Sequence, residues 1–231
     1  MQAVLDRIDD PSDFYYDPNL VLYLPLHKLD GTSFMSQDHY GHLIQNNGTL
    51  WRPDGREFGF GGVLDDYMVL NDGVATSPLN FTSEDFSMIF RIKPTLTATF
   101  IVLVCRGDFN VDGYYLEIGA DGIINFNTCQ SGASQTSRSS VGDIVTNTQY
   151  TLGISRRGAA VTIFLNGVNK TVVSDTHINP TTCARTANIG IYDDLTSYPM
   201  EGKMKVLAVW NRALSALEHM NTHQALMRQV P

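Results

Sequence analysis

The sequence predicts an all-β fold, an antiparallel two-sheet sandwich or jelly roll completed by a short C-terminal α-helix. Short strand-like segments recur along most of the chain, and turn-forming dipeptides separate several of them. Helical periodicity is almost absent until the end of the chain. This combination is typical of sandwiches and jelly rolls. With 231 residues, the chain is long enough to bury one large core in a single β domain.

The strand segments differ in how their apolar residues are arranged. The segment NLVLYLPL, which begins at Asn19, is apolar on both faces, as expected for a strand buried between two layers. The segment FSMIFRIKP alternates instead, with Ser87, Arg91 and Lys93 on the face opposite the core and Ile89 as the exception. Its predicted core-facing residues are Phe86, Met88, Phe90 and Ile92.

Two dipeptides predict β-hairpins. Asp121-Gly122 separates two strand patterns in GYYLEIGADGIINFNT, and Asn166-Gly167 does the same in AVTIFLNGVNKTVV. Both dipeptides tolerate the positive φ angles that a tight hairpin turn requires. Three further segments are predicted as strands: YTLGISRRG, ANIGIY and KVLAVW.

The tail of the chain carries a helix signal of its own. Ser215 and Glu218 have the S-x-x-E spacing of a capping box, in which each side chain bonds the other residue's backbone N–H. The predicted apolar stripe of this helix comprises Leu217, Met220 and Leu226, flanked by Ala216 and Ala225. We therefore divide the chain into an N-terminal arm (residues 1–18), a β domain (19–214) and a capped helix (215–231) that packs on the sandwich.

Composition narrows the choice of partners. The chain has 24 acidic and 16 basic residues, a net charge of -8, and no cluster of Lys and Arg, which argues against nucleic-acid binding. No apolar run is long enough to insert into a membrane, and the N-terminus lacks the pattern of a secretory signal, so we expect synthesis in the cytoplasm without a signal peptide. The widely spaced cysteines Cys105, Cys129 and Cys183 are predicted to be buried thiols.

Common catalytic motifs are absent from the sequence. It contains no G-x-S-x-G elbow, no phosphate-binding G-x-x-x-x-G-K-[ST] loop and no H-E-x-x-H motif. The pairs His39/His42 and His219/His223 have ligand-like spacings but no evident third ligand, so surface histidines are the preferred interpretation.

Six segments, taken in order, resemble the laminin-G-like, concanavalin-A-like lectin/glucanase jelly-roll family from about Asn19 to Leu226. The resemblance implies two antiparallel sheets packed face to face, a fold that hosts lectins, hydrolases and structural modules. The segments are NLVLYLPLHKLDG, NNGTLW, GGVLDDYMVL, FTSEDFSMIFRIKP, NTQYTLGISRRGAAVTIFLNGV and EGKMKVLAVWNRALSALE.

Lys205 occupies a position where many members of this family carry an aspartate that resembles a ligand of a structural calcium ion. Because an ammonium group cannot bind calcium, we expect no metal at this family site. One hypothesis is that the Lys205 ammonium replaces the cation and pairs with Asp30 or Asp38. The alternative is that Lys205 extends into solvent at the end of its strand, on the same face as Leu207.

The resemblance also permits a test for hydrolase chemistry. The hallmark of the family's glycoside hydrolases is a Glu-x-Asp-x-x-Glu pattern, which places two carboxylates on one face of a strand. This chain lacks the pattern: Asp65-Asp66 and Glu84-Asp85 are adjacent pairs, and Glu117 is a lone acid. We therefore expect the protein not to be an enzyme.

Two loop-like segments, GDFNVDGYY and IYDDLTSYP, are the candidate glycan-binding segments, since sugar recognition uses aromatic faces and planar polar groups at a rigid rim. A calcium ion held by Asp193 and Asp194 could assist. The alternative is that the tyrosines pack at the rim and the aspartates form turns. The candidates are Asp108, Asn110, Asp112, Tyr114, Tyr115, Tyr192, Asp193, Asp194 and Tyr198.

The N-terminal arm suggests a structural role. It is acidic and aromatic, and Phe14, Tyr15 and Tyr16 are the candidate contacts with other subunits, unless the arm folds back on its own domain. Stand-alone chains of this kind without a signal peptide resemble phage decoration and fibre proteins. We therefore expect a non-catalytic attachment protein on a virion surface or tail, with lectin-like glycan binding and no cofactor. The alternative is a free carbohydrate-binding module or a degenerate hydrolase relative.

Overall fold

The computed structural model describes residues 17–59, 66–74, 76–83 and 85–229. They form two antiparallel sheets stacked as a sandwich and one C-terminal helix, so the predicted fold class is confirmed. Phe14, Tyr15 and Tyr16 of the predicted arm lie outside the described residues, as does Glu84.

The elements are short, and several consecutive strands are joined by turns of two or three residues. In chain order they are β1 (Leu20–Leu24), β2 (Ser33–Met35), β3 (Leu43–Asn47), β4 (Leu50–Arg52), β5 (Gly55–Phe58), β6 (Tyr67–Leu70), β7 (Phe86–Pro94), β8 (Ile101–Asp108), β9 (Asp112–Ile118), β10 (Ile124–Gln130), β11 (Ala133–Arg138), β12 (Tyr150–Arg157), β13 (Ala160–Leu165), β14 (Val168–Asn169), β15 (Val173–Ser174), β16 (Ala187–Ile189), β17 (Gly202–Trp210) and α1 (Ala216–Gln229).

Within the described residues, the first sheet has eight strands in the order β14-β13-β12-β7-β17-β5-β4, with β1 beside β17. The N-terminal half of β17 pairs with β5 and its C-terminal half with β1, so both partners share one edge of that strand. The second sheet has nine strands in the order β15-β11-β10-β9-β8-β16-β6-β3-β2. Each sheet therefore turns one face to the core and one face outward.

Strand β7 shows why the alternating pattern predicts burial so well. Phe86, Met88, Phe90 and Ile92 are all fully buried in the core between the sheets, as predicted. Ile89 points the other way and joins Trp210 in a second apolar cluster on the outer face of the first sheet. The helix covers that face, which explains why Ile89 interrupts the polar side of the pattern.

Both predicted hairpins form, with turns of different length. Asn166 and Gly167, at φ 52° and 79°, make the two-residue connection between β13 and β14. Gly122, at φ 75°, lies in the longer connection between β9 and β10, and a Cβ atom there would lie 2.1 Å from the Ile144 carbonyl oxygen. That close approach, together with the positive φ, requires glycine at position 122.

The capping box forms as predicted, but the buried face of α1 differs from the predicted stripe. The Glu218 carboxylate accepts the Ser215 N–H at 2.7 Å, and the Ser215 hydroxyl accepts the Glu218 N–H at 3.3 Å. Leu217, however, is 69% exposed. The residues that pack inward include His219, so the helix is docked partly through polar contacts. The buried helix residues are His219, Thr222, Ala225 and Leu226.

His219 is not the surface histidine that the sequence predicts. Its ring stacks on Phe164 with centroids 4.0 Å apart, and its Nε2 lies 2.8 Å from the Ser155 hydroxyl. The ring fits because strand β12 has a glycine beneath it: a Cβ atom at Gly153 would lie 2.4 Å from the His219 Nδ1. Burial lowers the pKa of His219 to about 4.

Lys205 lies at a β-bulge in strand β17, which corrects its predicted orientation. Met204 pairs with Ile92 and Val206 with Arg91, so Lys205 is an extra residue and does not share the core face with Leu207. Lys205 is 4% exposed, so the alternative in which it extends into solvent is wrong.

The polar neighbours of Lys205 also differ from those proposed. With its side-chain oxygen turned toward them, Gln149 accepts from the Lys205 ammonium at 3.1 Å and from Arg91 Nε at 2.9 Å. The Asp38 carboxylate instead accepts backbone N–H groups, including that of Tyr23 at 2.9 Å. Asp30 accepts the N–H of Gly31. Backbone donors therefore occupy both carboxylates that the cation-replacement hypothesis assigned to Lys205.

The three cysteines are free and buried, as predicted. Among the helices of the described part of the chain, none is long and apolar enough to cross a bilayer.

Candidate functional site

A groove lies on the outer face of the second sheet, with a volume of about 610 Å³. We call it the outer groove. Neighbouring strands β9, β10 and β11 form its floor, and the β9–β10 connection and two phenylalanines, Phe100 and Phe109, contribute to its walls. The floor side chains are Tyr115, Glu117, Asn125, Asn127, Thr136 and Arg138.

The floor is built by strand register. Glu117 is paired with Asn125, and Asn125 with Arg138, so these three side chains form one row across three strands. Tyr115, Asn127 and Thr136 form the next row. Because side chains alternate along a strand, the residues between them, such as Leu116 and Phe126, face the core. The sheet therefore presents a two-row patch of polar and aromatic groups to solvent.

The two asparagines of the floor are buried and incompletely bonded. Asn125 is 6% exposed and Asn127 is 3% exposed. The Asn125 Nδ2 donates to Glu117 Oε1 at 3.4 Å, and the Asn127 Oδ1 accepts from the Thr136 hydroxyl at 2.6 Å. Within the described residues, Asn125 Oδ1 and Asn127 Nδ2 form no hydrogen bond of normal length and angle, although the Asn127 amide lies close enough to the Glu117 carboxyl to lower its pKa. Leaving such a group unpaired costs about 1–3 kcal/mol, so each atom indicates a missing partner.

Glu117 is a carboxyl group with an altered acidity. Burial raises the pKa of Glu117 to about 7, and the amides of Asn125 and Asn127 and the charge of Arg138 oppose this rise only in part. An acid that titrates near neutral pH within a groove is a recognised mark of a functional site.

Aromatic side chains complete the groove. Phe109 is 52% exposed and Phe100 is 38% exposed, so both present ring surface to a ligand. Tyr115 is buried in the floor, where its ring lies edge-on to Tyr192 at a centroid distance of 5.5 Å. An apolar ring beside fixed amide groups is the usual composition of a sugar-binding surface.

The predicted aspartates lie beside the groove and surround a cation of the chain. The Arg185 guanidinium lies 3.1 Å from Asp112 and 3.8 Å from Asp108, and it also contacts Asp193. Asp194 accepts the backbone N–H groups of residues 196 and 197 at 2.9 and 2.8 Å and so shapes a turn. Asp193 and Asp194, the two acids of the hypothetical calcium site, thus have other partners in the described structure: Arg185 supplies the positive charge to one carboxylate, and backbone N–H groups occupy the other.

The remaining candidates are mostly structural. Tyr114 is 2% exposed and donates its hydroxyl to the Leu79 carbonyl at 3.0 Å, so its assignment to a binding surface is wrong. Asn110 forms a turn at φ 58°. Tyr192 donates to Asp108 at 3.1 Å, and the ring of Tyr198 packs edge-on against it at 6.0 Å. These contacts match the alternative in which tyrosines pack at the rim and acids form turns.

Tyr115 alone among the nine predicted residues lines the outer groove. The sequence interpretation missed Glu117, Asn125 and Asn127, because the partners of Glu117 come from other strands. One local signal was present: in INFNT, polar residues at 125 and 127 alternate with core residues, which indicates a strand whose outer face carries amides.

The two stacked antiparallel sheets form a β-sandwich of the jelly-roll type. Residues 65–218, which make up well over half of the chain, match the family model of laminin G type described as the concanavalin A-like lectin/glucanases superfamily. The chain therefore belongs to this superfamily, as the motif order predicted. No curated protein sequence matches the chain.

Solved structures with the same fold include botulinum neurotoxin domains and a sialidase. The ligand-binding domain of botulinum neurotoxin serotype D, in complex with N-acetylneuraminic acid, superimposes with a TM-score of 0.67 at 13% identity, covering 89% of this chain and 50% of that one. A structure of botulinum neurotoxin type C, whose cell entry depends on two ganglioside molecules, gives a TM-score of 0.65 at 14% identity, with coverages of 90% and 51%.

A Trypanosoma rangeli sialidase, in complex with 2,3-difluorosialic acid, gives a TM-score of 0.70 at 11% identity, covering 99% of this chain and 38% of that one. The chain thus spans about half or less of each of these proteins. At such low identities the likeness shows a shared fold.

Proposed function

We propose that the protein is a non-catalytic attachment protein that binds a glycan in the outer groove. The observation that carries this proposal is the Asn127 side chain. Its Nδ2 is a buried donor on the groove floor without a hydrogen-bond partner in the described part of the chain. A sugar hydroxyl or carboxylate supplies an acceptor of the size and polarity that this position needs.

The surroundings of Asn127 suit a sugar better than an apolar ligand. The row of Glu117, Asn125 and Arg138 lies next to it, one strand position along, so polar groups of both donor and acceptor type are within reach of one pyranose ring. Phe109 offers an exposed ring beside them. The known ligands of several structural neighbours, namely N-acetylneuraminic acid and gangliosides, support a carbohydrate as the ligand class.

Glycan-array screening followed by titration calorimetry tests this proposal. Asn127→Ala removes the unpartnered donor, and we expect it to weaken binding of the captured sugar by about 1–3 kcal/mol, roughly 5- to 150-fold. The matched control is Asn221→Ala, which changes an exposed residue of helix α1, far from the outer groove on the opposite sheet. It should leave the affinity unchanged. Absence of any sugar binding, or equal affinity for the wild type and Asn127→Ala, would contradict the proposal.

The non-catalytic part of the proposal requires its own measurement. Polysaccharides incubated with the protein should keep their length, as judged by chromatography of the products. Shortened chains whose formation is lost in Glu117→Gln would instead favour the degenerate-hydrolase alternative, with Glu117 as the acid.

The location of the attachment protein on a virion is proposed from the sequence. The aromatic and acidic segment 1–18 motivates a virion decoration or tail component that contacts other subunits through Phe14, Tyr15 and Tyr16. Light scattering and electron microscopy of the purified chain should then show assemblies that are lost when residues 1–16 are deleted. A monomer under all conditions would favour the free carbohydrate-binding module.

A further inference from the structure

We propose that the outer groove selects a sugar that bears a carboxylate group, and that Glu117 permits this by staying protonated on the groove floor. This inference rests on the proposed glycan-binding function and names the ligand class and its proton dependence. It draws on three features: the unpartnered Asn125 oxygen, the Glu117–Asn125 contact and the guanidinium of Arg138.

The geometry of Glu117 and Asn125 favours a proton between them. The two residues are direct cross-strand partners, and Asn125 Nδ2 already donates to Glu117 Oε1 at 3.4 Å. Asn125 Oδ1 is buried and has no donor among the described residues. A protonated Glu117 supplies that donor, since its O–H can bond Asn125 Oδ1 while its other oxygen accepts from Nδ2. The pair then forms a closed ring of two hydrogen bonds.

A neutral Glu117 leaves the groove rich in donors. Asn127 Nδ2 has no partner within the described chain, and Arg138 is exposed with its guanidinium at the end of the same row as Glu117. Arg138 is the diagonal neighbour of Asn127 across β10 and β11, a spacing of about 7–8 Å that is within reach of a long side chain. A carboxylate on a sugar ring fits between an amide donor and a guanidinium, and bonds to a guanidinium are charge-assisted and strong.

The other charged and titratable groups near Glu117 do not provide an alternative anion site. Tyr115 is the neighbouring side chain on β9, and Arg138 faces Glu117 from β11. Asp121, on the β9–β10 connection, lines the same groove and accepts the Ile123 N–H at 3.2 Å. Arg138 is therefore the cation that the groove lining offers to an acidic ligand.

Ionisation of Glu117 reverses this preference. The pKa of Glu117 is raised to about 7 by burial, so the carboxyl is mainly neutral at pH 6 and mainly charged at pH 8.5. When it is charged, it repels the ligand carboxylate, and Asn125 Oδ1 loses its donor. If the acidic sugar binds only the protonated form, its affinity falls about 30-fold between pH 6 and pH 8.5.

The experiment is calorimetric titration at pH 6.0 and pH 8.5 with three oligosaccharides that differ at one end. One carries glucuronic acid, one carries N-acetylneuraminic acid, and one is the uncharged counterpart. We expect at least one acidic sugar to bind better than the neutral one at pH 6.0 and to lose most of that affinity at pH 8.5. The two acidic arms distinguish a uronate from a sialate as the source of the carboxylate.

Glu117→Gln is the decisive variant, because its amide is uncharged at both pH values and can still donate to Asn125 Oδ1. It should bind the acidic sugar with an affinity that changes less than threefold with pH. Glu57→Gln, which removes a carboxylate on the other sheet, is the matched control and should keep the wild-type pH dependence.

Each outcome separates this inference from the function on which it rests. Equal binding of neutral and acidic sugars at both pH values would overturn the inference and leave glycan binding intact. No sugar bound at any pH would overturn the proposed function itself. If Glu117→Gln fails to fold, the Glu117 side chain of the wild type is titrated by carbon-detected NMR. A midpoint near 7 supports the proton-holding role, and a midpoint near 4.5 refutes it.

Discussion

Replacing His219 with glutamine should remove a contribution to stability that depends on pH. His219 anchors helix α1: its ring stacks on Phe164, its Nε2 contacts the Ser155 hydroxyl at 2.8 Å, and it is 2% exposed. The Ser155 hydroxyl also contacts the Leu214 carbonyl at 3.0 Å, at the turn that leads into the helix. A proton added to this ring would place a charge in a dry contact between helix and sheet.

The sign of the effect follows from the direction of the pKa shift. Burial lowers the pKa of His219 from 6.5 to about 4 in the folded protein. Between these values the unfolded chain binds the proton and the folded chain does not, so acid favours unfolding. The contribution is fully present above pH 6.5 and declines as the pH falls toward 4. At pH 4.5 the decline amounts to about 2.5 kcal/mol, an order-of-magnitude value.

The assay compares wild type and His219→Gln by urea denaturation at pH 7.5 and pH 4.5. Other groups titrate over this range: His177 acts in the same direction, because burial lowers its pKa to about 4, and Glu117 acts in the opposite one. Taking the difference between the two proteins cancels both. The wild type should have the higher free energy of unfolding at pH 7.5, and its difference from His219→Gln should shrink by about 2.5 kcal/mol at pH 4.5.

A difference in free energy of unfolding that is the same at both pH values would refute the reasoning, because it would mean that His219 has an ordinary pKa in the folded state. The matched control is Asn221→Gln on the exposed face of helix α1, which changes no ionisable group, so its difference from the wild type should not change with pH.

Two further substitutions test the assignments of fold and site. Tyr114→Phe removes the hydroxyl bonded to the Leu79 carbonyl and should lower the free energy of unfolding by about 1–2 kcal/mol, while sugar affinity stays unchanged; a loss of affinity in the folded variant would restore Tyr114 to the site. Ser215→Ala removes the N-cap that accepts the Glu218 N–H and should destabilise the protein by about 1 kcal/mol in the same denaturation assay. Unchanged stability would show that helix α1 is held by its tertiary contacts rather than by its cap.

Several parts of the fold could be predicted from the sequence because they depend on neighbours along the chain. The alternation in Phe86–Pro94 predicts which face enters the core between the sheets, because side chains of a strand point to opposite sides. Asn166-Gly167 predicts a turn because both residues accept positive φ. The cap joins Ser215 to Glu218, only three positions later in the chain. In each case the physical cause lies within a few residues, so the order of letters is sufficient.

The binding surface was largely hidden from the same approach, since it is assembled across strands. Tyr115 was found, but Glu117 reads as an isolated acid until strand register places Asn125 and, beyond it, Arg138 alongside. Three of the candidate aspartates, Asp108, Asp112 and Asp193, share Arg185 as a partner. Arg185 is 73 residues from Asp112 in the chain and could not be inferred from spacing.

Lys205 and His219 show, for single residues, the same difference between features set by chain neighbours and features set by distant segments. A one-residue bulge moves Lys205 away from the core face, and a periodic pattern cannot reveal a bulge without its partner strand. His219 is polar and lies on an amphipathic helix, so composition predicts exposure; Ser155 and Phe164, which bury it, come from a hairpin more than fifty residues earlier. Local geometry thus sets strands, turns and caps, whereas burial, charge and acidity depend on which distant segments the folded chain brings into contact.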